Sequence, residues 1–189
     1  MIFESKRLIL RPWSEDDLKA CHEICSDPEV GPVAGWPCHL SEDDTRQALK
    51  GELSLPETYA IVLKARDIPI GSISIKTGER TYLTCSSDEC EISFFLGKAY
   101  WGMGFMPEAL EIVLTRAFED LGMKNVLCGY YDGNDRSKRV QEKAGFKHLW
   151  TSENVRLLKM NEIRTGHVNI LSVEDWLKRR NEEGSGKEK

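Results

Sequence analysis

Apolar positions recur at helical spacing most clearly between residues 106 and 121, where Met106, Ala109, Leu110, Val113, Leu114, Ala117, Phe118 and Leu121 fall on one face. The pattern predicts a buried helix, opened by Pro107 and stopped by Gly122. Residues 3–11 alternate, with Phe3, Arg7, Ile9 and Arg11 set against Leu8 and Leu10, and predict a strand; Ser14 then starts an acid-rich helix. Pro28, Pro32, Pro37, Gly31 and Gly35 make 27–39 a loop carrying Trp36. Ser41 with Asp44 three positions on forms a capping box for a helix ending near Gly51. YAIVLK and PIGSISIK read as two strands of a hairpin turning over 65–69.

Strands at Glu89–Leu96 and 124–131 follow, each leading into a helical stretch that reaches Gly145. Beyond it the chain alternates briefly around Trp150, Val155, Leu157 and 168–171, then runs through SVEDWLKRR into the polar NEEGSGKEK. The order of elements predicts a mixed α/β fold in one domain spanning 1–180, with 181–189 a disordered polar tail. No internal repeat and no linker long enough to divide the chain is present.

A chain of 189 residues buries a real core without metal or disulfide support. Its net charge of −5 argues against a general nucleic-acid binder. MIFESKRLILRPW carries charges through its apolar residues and lacks a secretory hydrophobic region, and no later run reaches membrane-spanning length, so the cytoplasm is the expected location. The six cysteines show neither a C-x-x-C pair nor scaffold-like spacing, and reduced thiols are expected. Cys21, His22 and Cys25 share a helical neighbourhood, but no second ligand pair follows, and no metal is expected.

The start of the 106–121 helix raises the chemical question. Met106 offers no side-chain oxygen to cap the first amides, and Gly102 and Gly104 stand just before it. A glycine turn feeding an uncapped helix is either a tight strand-to-helix connection or a site for an anion such as a phosphate. The spacing excludes two familiar loops: the third glycine of a dinucleotide fingerprint falls on Pro107, and no G-K-[ST] follows for a Walker A loop.

RLILRPW, PIGSISI, CEISFFLGKAYWGMGFMPEAL and NDRSKRVQEKAGF, in this order over nearly the whole chain, resemble the GCN5-related N-acetyltransferase (GNAT) superfamily and, within it, the RimJ/RimL-type group acting on ribosomal-protein amino termini. The resemblance implies the GNAT fold, a mixed central sheet with helices on both faces, and acetyl-CoA as co-substrate, its pantetheine arm held between splayed parallel strands that end near Leu96 and Tyr131. Phe94, Phe95 and Leu96 then belong to the coenzyme site. The superfamily's phosphate loop maps onto Trp101, Gly102, Met103, Gly104, Phe105 and Met106. Trp101 departs from the usual Gln or Arg and Met106 from the final Gly or Ala, yet neither change removes a backbone amide; periodicity sends the Met106 side chain to the core.

Glu91 occupies a position where related sequences carry an acid, on one strand face with Ser93 and Phe95, and is the expected base, acting through water. The alternative is an ion-paired carboxylate. Asn134 is expected at the pantetheine amides and Ser137 at the leaving sulfur, with Tyr130 and Tyr131 as alternative proton donors. Asn134 equally suits a helix N-cap. Arg136, Lys138, Arg139 and Lys143 form a basic helix that either meets the coenzyme 3′-phosphate or is simply solvated. Trp36 and His39 are expected at the acceptor pocket. The implied partners are acetyl-CoA and an amine acceptor, a peptide N-terminus or a small molecule such as an aminoglycoside or polyamine, with no direct nucleic acid, no membrane, and a monomer or homodimer. The competing reading is a non-catalytic acyl-CoA sensor, and a third gives the C-terminal SVEDWLKRR segment a docking role.

Overall fold

The computed structural model describes the backbone of residues 1–185 and the side chains of residues 1–182. Eight strands form one mixed sheet in the order β1-β2-β3-β4-β5-β6-β8-β7. They are β1 (Phe3–Glu4), β2 (Leu8–Arg11), β3 (Thr58–Leu63), β4 (Ile68–Lys76), β5 (Glu89–Leu96), β6 (Asn125–Tyr131), β7 (Lys147–Leu157) and β8 (Glu162–Ser172). The helices are α1 (Leu18–Cys25), α2 (Gly31–Ala34), α3 (Glu42–Lys50), α4 (Phe105–Thr115), α5 (Asp135–Lys143) and α6 (Val173–Ser185).

The sheet carries a core on each face. Ile73, Ile75, Cys90, Ile92, Val126 and Cys128 meet Leu110, Val113 and Leu114 of α4 and Trp176 of α6 in the larger cluster. On the other face Trp13, Cys21, Cys25 and Leu49 pack against Ala60 and Val62, joined by Trp36 and Phe95. Adjacent β5 residues therefore serve opposite cores, as period-two alternation requires.

All pairs are antiparallel except β5 with β6. That parallel pair holds only from Glu89↔Asn125 to Glu91↔Leu127. Beyond it the strands part, while β6 stays paired with β8 as far as Tyr131↔Gly166. The gap leaves the β6-facing backbone groups beyond Glu91 without a strand partner, and of these the Leu96 carbonyl is taken by Trp101 Nε1 at 2.8 Å.

Several expectations are refined. The strand expected over 3–11 is broken into two, because the chain turns at 5–7, where Ser5 N donates to Leu8 O at 2.9 Å. Ser14 opens a short 3-10 turn, Glu15–Asp17, before α1. The proline-rich loop contains the single-turn α2, closed by Gly35 at φ 94°. The capping box at α3 forms as read: Asp44 N donates to Ser41 Oγ at 3.2 Å and Ser41 N to Asp44 Oδ2 at 2.9 Å. The 106–121 helix ends as α-helix at Thr115 and continues as a π turn, Arg116–Asp120, with Leu121 N bonded to Arg116 O. The C-terminal alternation becomes two eleven-residue strands. Helix α6 continues to Ser185, so 181–185 extend it, and 186–189 lie outside the described residues.

Arg116, at the π turn, ties α4 to the end of β3. Its Nη2 donates to Glu57 Oε1 at 2.8 Å, and Tyr59 Oη donates to Glu57 Oε2 at 2.6 Å. The Arg116 bond, with help from Tyr59, holds the Glu57 carboxyl below its ordinary range despite its burial. A carboxylate depressed in the folded state adds stability that is complete above its unfolded pKa and lost as pH falls through the folded one. Glu57→Gln should therefore cost about 1–3 kcal/mol at neutral pH. The gap from the unmodified protein, read by urea unfolding across a pH series, should close as pH drops below the glutamate range. A gap independent of pH would refute the ion pair's contribution.

Candidate active site

Gly102 and Gly104 adopt φ of 75° and 76°. A Cβ on Gly102 would meet nothing within 4 Å, and one on Gly104 would meet only Arg7 Nη2 at 3.5 Å. Conformation rather than space therefore requires glycine at both positions. Gly104 is the N-cap of α4 in the left-handed region and offers no side-chain acceptor, so the first amides of an eleven-residue helix have neither an intrahelical partner nor a cap. Two left-handed glycines ahead of such a terminus form an anion-binding concavity.

The orientation of this loop is held from a turn far away in sequence, between β1 and β2. Arg7 Nη1 donates to Met103 O at 2.9 Å and Nη2 to Gly104 O at 3.1 Å. Its Nε donates to Glu108 Oε2 at 2.6 Å and its backbone N to Glu108 Oε1 at 2.9 Å, and Ser5 Oγ donates to Oε1 at 2.7 Å. Burial opposes charge on Glu108, but the bonds from Ser5 and Arg7 outweigh it and hold the carboxyl below its usual range. With its carbonyls engaged by the guanidinium, the loop has its amides left for a ligand. Neither Arg7 nor Glu108 was recognised from sequence, since the alternation over 3–11 hid the turn that Arg7 occupies between β1 and β2.

The loop opens onto a cavity of about 460 Å³. Phe94, Phe95, Leu96, Trp101, Gly102, Gly104, Phe105, Met106, Asn134, Arg136 and Ser137 all line it, joined by Arg139 and Lys143 of the basic helix face. Val30, Val33 and Ala34 around α2, with Tyr100 and Val140, supply wall residues that no motif marked. Met106 is 4 % exposed in the α4 core and does not block the loop. Met103 does not line the cavity and is exposed; it contributes backbone only. Trp101 Nε1 donates to Leu96 O at 2.8 Å, and the Arg136 guanidinium lies 3.7 Å from the centre of the Trp101 ring. A cation thus sits at the position whose usual Gln or Arg is missing.

At the start of α5, Asn134 Oδ1 accepts from Ser137 N at 3.2 Å and Nδ2 points to Val33 O at 3.4 Å, so the same side chain caps one helix and reaches another. The tyrosines separate by strand alternation. Tyr131 packs against Gly35, where an added Cβ would come within 2.4 Å of its ring. Tyr130 stacks on His167 at 4.8 Å. Neither lines the cavity.

Glu91 lies on the face of β5 that carries Ser93 and Phe95, outside the cavity lining. Its Oε1 accepts from Lys76 Nζ at 2.9 Å, and its Oε2 accepts from Thr81 Oγ1 at 3.2 Å and Tyr82 N at 3.1 Å. Both oxygens are engaged in a residue only 7 % exposed. Trp36 is half-buried against Phe95, ring centres 5.5 Å apart, with His39 on its far side at 5.7 Å. His39 Nδ1 bonds Thr45 Oγ1 at 2.9 Å, and burial pushes its pKa below the ordinary histidine value, leaving a neutral imidazole at neutral pH.

Known proteins resemble this arrangement. A family model described as Acetyltransferase (GNAT) domain matches residues 7–147. The uncharacterised N-acetyltransferase YnaD of Bacillus subtilis (strain 168) is 26 % identical over 149 residues, which cover 78 % of this chain and 83 % of that protein. Among solved structures, a GNAT-family acetyltransferase from Bacillus anthracis superposes with a TM-score of 0.80 at 20 % identity, covering 92 % of this chain and 99 % of the other. The ribosomal-protein-S5-alanine acetyltransferase of Vibrio fischeri superposes with a TM-score of 0.71 at 17 % identity, covering 93 % and 98 %. At those identities the two structures speak for the fold. The family match spans most of the chain, including Arg7, the glycine loop and α5: the protein belongs to the GNAT acetyltransferase family and is an acetyl-CoA-dependent N-acetyltransferase.

Proposed function

We propose that the acceptor is the amino terminus of a protein or peptide, and that acetyl passes to it directly from acetyl-CoA within a ternary complex. The observation that carries the reading is the pairing of a left-handed glycine loop at the N-terminus of α4 with a gap in the sheet between β5 and β6. The loop amides from Gly102 to Met106 receive the pyrophosphate, and the unpaired edge of β5 from Phe94 to the Leu96 amide, whose carbonyl Trp101 already holds, receives the pantetheine amides. Arg136 and Lys143 at the cavity wall meet the remaining phosphate charge.

The acceptor approaches from the opposite face, past Trp36, Phe95 and Tyr131. Lys159, at the β7–β8 turn, reaches Glu52 at 3.3 Å, and His39 lies within the electrostatic reach of both. Their neighbours Leu40 and Leu158 are 91 % and 86 % exposed, so the rim of this face offers apolar contacts that a peptide chain covers and a small polyamine does not. The fold likeness to a ribosomal-protein acetyltransferase supports the same reading.

The chemistry divides among three needs. The amine loses a proton to Glu91 through water or to His39, the neutral imidazole on this face. The scissile carbonyl polarises against the free strand edge. Ser137, in the cavity wall, protonates the departing sulfur, with Tyr131 as the alternative donor.

Acetyl-CoA should raise the melting temperature, by about 2.7 kcal/mol of added stability at a hundredfold excess over Kd, while NADH and ATP shift it much less. Gly104→Val should weaken acetyl-CoA at least tenfold by calorimetry while the chain stays folded, since a branched residue in the left-handed region costs about 1–2 kcal/mol. Equal affinity in the folded variant would move the phosphates elsewhere.

Ser137→Ala should lower kcat roughly ten- to a thousandfold with acetyl-CoA affinity nearly intact, because the lost bond forms to charge developing on sulfur. Tyr131→Phe is the comparison; a collapse in that variant alone reassigns the acid. On the basic side, the depressed His39 pKa predicts that activity carried by its free base falls only as pH drops below the ordinary histidine range. If His39 is the base, His39→Gln abolishes that acidic limb and Glu91→Gln leaves it in place; the reverse result assigns the proton to Glu91.

A further inference from the structure

Behind Ser137 lies a chain of buried amides that no motif identified. Gln141 is 0 % exposed and Asn169, across the sheet on β8, is 4 % exposed. Asn169 Nδ2 donates to Gln141 Oε1 at 2.9 Å, and Gln141 Nε2 donates to Ser137 Oγ at 3.0 Å, with Gly129 O a second acceptor at 3.4 Å. The direction of this chain follows from the Gly129 carbonyl. Were the Gln141 amide turned over, its own oxygen would face that carbonyl and two acceptors would meet without a proton between them. Gln141 therefore gives hydrogens on that side, and Ser137 Oγ accepts.

A hydroxyl has one proton. With its oxygen already receiving the Gln141 N–H, and with no protein acceptor for the hydroxyl proton among the described residues, the Ser137 proton is left to the cavity that the residue lines. We infer that Gln141, locked by Asn169, is a positioning residue for the acetyl-transfer reaction: it holds the Ser137 hydroxyl as a donor toward the leaving sulfur. The inference rests on Ser137 as the acid proposed above. When the carbon–sulfur bond breaks, sulfur keeps the bonding pair and takes the Ser137 proton. The Gln141 N–H stabilises the charge that grows on Oγ, and the proton taken from the acceptor amine is passed back to Oγ through water, so the hydroxyl is restored and no net charge is left behind. Two aligned amides ahead of the hydroxyl polarise it in the same sense and strengthen its donation.

The geometry also accounts for two buried polar side chains between a helix and a strand, where apolar residues would pack without need of partners. All three hydrogen-bonding directions used by Gln141 are satisfied, and one of them ends at the reacting site.

The test separates positioning from packing. Gln141→Met keeps side-chain length and removes the donor; kcat at saturating acetyl-CoA and acceptor should fall about tenfold or more, while acetyl-CoA affinity by calorimetry stays within about threefold. In a Ser137→Ala background the same substitution should cost nothing further, because its effect passes through the missing hydroxyl. Asn169→Asp provides a second route that leaves both residues in place: the carboxylate accepts from Gln141 Nε2, turns the amide over and makes Ser137 donate inward, so kcat should fall here too. Equal losses in both backgrounds would mean packing alone and overturn the inference. Full activity in folded Gln141→Met or Asn169→Asp would overturn it while leaving Ser137 as the acid. Full activity in Ser137→Ala would remove the acid itself and this inference with it.

Discussion

The site depends on one guanidinium. Arg7 reaches from the turn between β1 and β2 to bind the carbonyls of Met103 and Gly104 while Glu108, one turn into α4, holds it by both its side chain and its backbone amide. Glycines at φ 75° and 76° gain freedom at the cost of many alternative turns. A charged donor on the carbonyls selects the one turn in which the amides face the cavity. Arg7 and Glu108 lie 101 positions apart, so the shape of the loop is tied to a contact between the turn before β2 and the start of α4 and not to local sequence alone.

The second constraint is geometric. β5 and β6 pair for three residues and then part, yet β4 on one side and β8 on the other hold each of them in place. The gap is thus a rigid opening with both walls anchored. Residues on its two faces serve different partners, since Phe94 packs with the α4 core and Phe95 with Trp36. In the proposed complex, coenzyme and acceptor would reach one point from opposite sides, since strand alternation assigns those sides to different side chains.

The elements around the cavity were legible in the sequence because each carries a local signal: a helical apolar stripe from Met106, a glycine pair, and the Asn134-to-Ser137 start of α5, which forms the expected cap. What escaped was set by contacts between distant segments. The β7–β8 hairpin read as brief alternation because its register slips between His148 and Trp150 and between Ser152 and Val155, and each slip breaks the two-residue period. Strand 3–11 read as continuous, although the chain turns between β1 and β2. Helix α2 hid in a proline- and glycine-rich stretch whose composition signals a loop, and it is met in the fold by distant side chains, Asn134 at Val33 O and Arg164 at Pro32 O. Glu91 stood out as an acid on a central strand, but only the fold reveals Lys76 and the 81–82 turn occupying its oxygens.

Trp101 shows why a motif position is better read through its neighbours than through its letter. The indole in place of Gln or Arg removes a polar side chain from the start of the loop, and taken alone the change weakens an anion site. In the fold, the indole N–H closes the Leu96 carbonyl at the end of β5, and its ring carries the guanidinium of Arg136 from α5. The cation that the loop lacks in its own sequence is returned by the helix across the cavity, on an aromatic platform that limits its rotamers. One exchange of residue type has thus joined the glycine loop and α5 across the cavity directly, so that a change at Trp101 acts on the strand end and on the cation together.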